Sequence, residues 1–76
     1  MDPLETQILN YLKEHPRASD TLEGIMQWWL IGDHTAEGVE EARQALEHLV
    51  SLEILSVRVD NTGRAHYRLS RRDARV

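Results

Sequence analysis

Between residues 35 and 52 the apolar positions recur at a helical period, and a few residues later they recur at a period of two. Val39, Ala42, Ala45, Leu46, Leu49 and Val50 share one helical face. Glu37, Glu40, Glu41, Gln44, Glu47 and His48 fall opposite. Leu55, Val57 and Val59 then alternate with Ser56 and Arg58. Asp60-Asn61-Thr62-Gly63 reads as a turn, and Ala65, Tyr67 and Leu69 alternate with Arg64, His66 and Arg68 on the return. The pattern predicts a helix capped by Thr35 that runs into a β-hairpin. With Gly63 left-handed after a type I turn, Asp60 sits opposite Arg64, and Val59 pairs with Ala65, Val57 with Tyr67 and Leu55 with Leu69. Arg58 then faces His66 and Ser56 faces Arg68 on the other side. A one-residue slip would expose every apolar side chain, so a single register suits both strands.

Two helices are predicted upstream. Asp2 is a suitable N-cap, Pro3 fits the first helical position, and Glu5 stands three residues after the cap as in a capping box. Leu4, Ile8, Tyr11 and Leu12 share a face with Leu9 at its edge, and His15-Pro16 ends the helix. Residues 17–19 read as a short extended link. Asp20 and Glu23 form a second box, opening a helix of roughly ten residues that Gly32-Asp33-His34 breaks. Leu22, Ile25, Met26 and Trp29 converge on one side of it. Gly24, Trp28 and Ile31 form an apolar strip on the other. Neighbouring helical residues point about 100° apart, so Trp29 is expected in the core and Trp28 at the surface.

At 76 residues the chain is one domain with a small core. It has no cysteine, which excludes disulfides, thiolate metal sites and a cysteine nucleophile. The run Trp28-Trp29-Leu30-Ile31 is far too short to span a membrane, and the opening Met-Asp-Pro lacks the pattern of a signal peptide. A cytoplasmic protein is expected. The net charge of −4 hides a division. Through Ser56, eleven acids face Lys13, Arg17 and Arg43; from Val57 onward, six arginines face only Asp60 and Asp73.

No catalytic pattern emerges. His15, His34, His48 and His66 are dispersed without ligand spacing, and Glu37, Glu40 and Glu41 sit on a convex face rather than in a cleft. Ser19, Thr21 and Thr35 read as caps rather than nucleophiles. We expect no enzyme activity, metal, cofactor or small-molecule ligand.

Helix, short strand, helix, turn, helix and hairpin is an order that resembles the winged helix-turn-helix superfamily over nearly the whole chain. The most specific stretch is Thr35, Val39, Ala42, Leu46 and Leu49, then Ile54-Leu55, then the strand from Val57 to Val59. The resemblance implies an α+β fold, a small winged helix of three helices and a two-stranded wing over 1–70, with 71–76 a frayed basic tail. It also implies that the third helix reads the DNA major groove through Ala36, Glu37, Glu40, Glu41, Gln44 and Glu47. Wing contacts would fall on Arg58, Arg64 and His66. Two departures matter. Many members place Gly where this chain has Glu53, at the left-handed end of the third helix. Four of the six reading positions are glutamates, with neither Lys nor Arg among them, and Arg43 lies towards the buried flank. Such a face lacks the electrostatic attraction that supplies most non-specific DNA affinity.

Composition and charge therefore favour a non-catalytic protein–protein interaction or adaptor module, docking a partner or a second copy. Its surface would comprise Trp28, Ile31, Glu37, Glu40, Glu41, Gln44 and Glu47. The alternative is a DNA-binding transcriptional regulator that grips phosphate weakly through Arg58, Arg64, His66, Arg68, Arg71 and Arg72.

Overall fold

The computed structural model describes residues 3–29 and 35–70. Helix α1 (Pro3–Glu14) is followed by strand β1 (Ser19–Asp20) and by α2, a single α-helical turn (Leu22–Gly24) that continues as a π-helical stretch (Ile25–Trp29). Helix α3 (Ala36–Ser51) leads into strands β2 (Leu55–Val59) and β3 (Ala65–Leu69). The result is an α+β domain with three helices and a three-stranded antiparallel sheet of order β1-β3-β2. The proposed cap Asp2, the break at 32–34, Ile31 and the tail at 71–76 with Arg71 and Arg72 lie outside the described residues.

The helices pack because each has one apolar face. Ile8 and Leu12 of α1, Ile25, Met26 and Trp29 of the second helix, and Ala42, Ala45, Leu46 and Leu49 of α3 are buried together with Leu55. Thr35 caps α3 as expected: its backbone is extended (φ −68°, ψ 167°) and its Oγ1 accepts from Gly38 N–H at 3.2 Å. At the other end Glu53 takes the left-handed conformation (φ 62°). Its N–H donates to Val50 C=O at 2.9 Å, and Ile54 N–H donates to Leu49 C=O at 3.0 Å. Those two bonds are the Schellman pattern, formed here without the usual glycine.

The second helix departs from its predicted start. Asp20 belongs to β1, where it pairs with Tyr67, and is therefore not the cap. Thr21 is, one residue later: its Oγ1 accepts from Gly24 N–H at 3.2 Å, and Asp20 Oδ1 accepts from Thr21 N–H at 2.8 Å. Glu23 consequently loses the capping-box spacing. The helix is also not regular. Asp20's carboxylate sits against Gly24, so close that a Cβ at 24 would displace it. Further along, Trp29 stacks on Tyr11 with ring centroids 4.9 Å apart and planes 12° from parallel. A π turn takes one more residue than an α turn, and here that slack lies between two fixed points.

The hairpin has the predicted register at every pair, from Leu55–Leu69 to Val59–Ala65. Gly63 is left-handed at φ 86°, and its N–H donates to Asp60 C=O at 3.0 Å.

Candidate docking surfaces

The exposed face of α3 is anionic. Glu37, Glu40, Glu41, Gln44 and Glu47 are all exposed, on the side opposite the buried Ala42, Ala45, Leu46 and Leu49. Arg43 is exposed as well, rather than turned to the buried flank, because helical spacing sets it beside Glu40, with Nη1 3.6 Å from Oε1. Half-exposed pairs of this kind add little stability, but this one occupies the only cation on the helix. On the α1 side, His48 Nδ1 lies 2.9 Å from Oε2 of Glu5. Glu5 is 6% exposed, the one charged side chain in the described interior. Sequence reading gave it a capping role and placed His48 with the solvated face. A link between positions 43 residues apart leaves no trace in local spacing.

The two tryptophans point as their adjacency requires: Trp29 is 6% exposed and Trp28 68%. The strip predicted around Trp28 is narrower than expected, because Gly24 is half-buried beneath Asp20's carboxylate. On the same helix a groove of about 410 Å³ runs between Leu22, Glu23, Met26 and Gln27 and Val39 of α3. Helical periodicity marked Leu22, Met26 and Val39 as core. Met26 does reach it, but Leu22 and Val39 are only partly buried, which opens the groove.

The hairpin carries opposite charge. Arg58 and Arg64 are exposed, Arg68 is half-buried, and among the described residues none is ion-paired. His66 is not free: its Nε2 lies 2.7 Å from Asp60 Oδ2. Asp60 Oδ1 accepts from Thr62 Oγ1 at 2.6 Å, from Thr62 N–H at 2.8 Å and from Arg64 N–H at 3.1 Å. The Thr62 hydroxyl, His66 and the Arg64 amide, in that order, hold this carboxyl well below the usual carboxylate range. Asp60 thus pairs with His66 rather than with the Arg64 side chain facing it. The apolar side of the hairpin brings a second correction. Only Leu55 at its base is buried; Val57 is 47% exposed and Val59 63%. Alternation gives direction but not cover, and nothing described packs over the outer half of β2.

Compared with protein-family models, with curated proteins and with solved structures, the chain matches none. No described helix is long and apolar enough to cross a membrane. Among the described residues, no group of three or more His, Asp or Glu side chains gathers to hold a metal ion.

Proposed function

We propose that this chain is a winged-helix domain used as a non-catalytic interaction module, docking a cationic partner surface on the acidic face of α3. The element order α1-β1-α2-α3-β2-β3 and the hairpin register support the winged-helix assignment. The observation that carries the function is the exposed row Glu37, Glu40, Glu41 and Glu47, with Arg43 already beside Glu40. A helix lined in this way is repelled by phosphate and attracted by basic protein surface. Trp28 supplies an exposed aromatic of the kind that anchors protein interfaces.

One observation favours the second reading, a DNA-binding regulator. Arg58, Arg64 and Arg68 share one face of the hairpin without carboxylate partners among the described residues other than the occupied Asp60. Duplex binding through them is weak and depends on few phosphates. The test is a low-salt mobility shift of the whole chain on duplex DNA, beside gel filtration. We expect log affinity to fall with log salt at a slope reporting on the order of three or four phosphate contacts. Glu40→Lys with Glu47→Lys should strengthen duplex binding by removing repulsion. Sub-micromolar, sequence-selective binding by the unaltered chain at physiological salt would reverse the order of the two readings.

A further inference from the structure

We propose that the outer edge of β2 is a docking site for an extended partner segment in which apolar residues alternate with carboxylates. Asp60 N–H donates to Arg64 C=O at the tip of the hairpin, and Ser70 N–H donates to Ile54 C=O at its base, each at 2.9 Å. Bonded and non-bonded positions alternate along an antiparallel pair. Both anchors therefore place Ser56 and Arg58 among the residues bonded to β3. The amide and carbonyl groups of Val57 and Val59 must then point away from β3, to the outer side of the strand. In the order β1-β3-β2 no described strand receives them.

Natural edges of this kind are blunted by Pro, by charged side chains and above all Lys, by a bulge or by inward-turned charge. A single charge such as Arg58 repels like-charged strands while admitting one that carries carboxylates. Between Leu55 and Val59 the pairing is unbroken, Pro and Lys are absent, and the single charge, Arg58, faces solvent. The edge is thus open to strand addition, in which main-chain bonds give affinity and alternate side chains give selectivity. One face offers the exposed valines. The other offers Arg58, Arg64 and Arg68 against Asp60, whose carboxylate is already held by Thr62 and His66. That combination selects an occupant with apolar residues on one side and carboxylates on the other. A second copy fits less well: pairing β2 with itself about Val57 sets Arg58 diagonally across from its own counterpart, a like-charge contact. This edge is distinct from the acidic face of α3, so the two sites succeed or fail separately.

The probe is an N-acetylated, C-amidated heptapeptide alternating glutamate with valine, added to the ¹⁵N-labelled full chain. We expect shifts and slowed hydrogen exchange at the Val57 and Val59 amides. A lysine–valine heptapeptide should bind at least about tenfold more weakly, because charge complementarity chooses the occupant. N-methylation of the peptide amides on its pairing edge should abolish binding. So should Val57→Pro, which removes an outward-facing donor without taking away a hydrogen bond to β3. If that variant fails to fold, the N-methylated peptide carries the same test. Equal affinity for the two peptides, shifts confined to α3, or no binding at millimolar peptide overturns the proposal. Protection of Val57 and Val59 that grows with protein concentration alone overturns it too, because the occupant is then a second copy.

Discussion

Glu53 occupies a backbone conformation that side chains with a Cβ resist, and the end of α3 depends on it. The left-handed region costs an L-residue about 1–2 kcal/mol, whereas glycine enters it freely at some entropic cost in the unfolded chain. Glu53→Gly should therefore stabilise the domain by about 1 kcal/mol, read as a raised urea midpoint with an unchanged slope. A lowered midpoint would mean that the glutamate side chain contributes more than the strain removes. The tryptophans give a sharper contrast. Trp29→Ala empties the stack on Tyr11 and the core around it, and should cost roughly 3–5 kcal/mol, a large share of a small domain's stability. Trp28→Ala touches an exposed side chain and should change stability by no more than about 0.5 kcal/mol while weakening any partner contact. Equal losses for the two variants in chemical denaturation would contradict the opposed directions of the two indoles.

The hairpin is stitched at its tip by one carboxylate, and its pH response follows from that. Asp60 is held below its ordinary value, near 3.9 in an unfolded chain, by groups that exist only in the folded turn. A lowered folded value means that the carboxylate stabilises fully above the unfolded value, and that this is lost as pH falls through the folded one. The turn should thus hold through mildly acidic conditions and loosen only in strong acid. The carboxyl ¹³C shift of Asp60 should still be that of a carboxylate at about pH 3. Thr62→Ala should raise the midpoint most and His66→Ala next, following the order of the interactions. A midpoint at or above the ordinary value would show that the Thr62 and His66 contacts do not persist in solution.

At the scale of the whole molecule, what could be read from sequence was what repeats locally. The period of α3, the cap at Thr35, the hairpin register and the opposed tryptophans all rest on spacings of a few residues. What could not be read depends on which surfaces meet. Asp20 looks like a cap until β3 claims it for the sheet, and then Thr21 takes the role. Glu5 looks local until α3 brings His48 beside it. Val57 and Val59 look like core until β2 proves to be an edge strand of the described sheet, with no described residue packed over its far end. The candidate surfaces divide in the same way. The acids of α3 and the arginines of the hairpin were visible as charge, whereas the groove beside Val39 and the open strand edge required the assembled sheet and helices.

The opposed directions of Trp28 and Trp29 also give the molecule two built-in optical reporters, and the chain contains no other tryptophan. An indole in water emits to the red of one enclosed by apolar neighbours, and only the former meets a dissolved quencher. Occupation of the second helix's outer side would dim or shift the red component alone. Loss of the fold would move the blue one. A single emission spectrum can therefore separate docking from unfolding in the unlabelled protein.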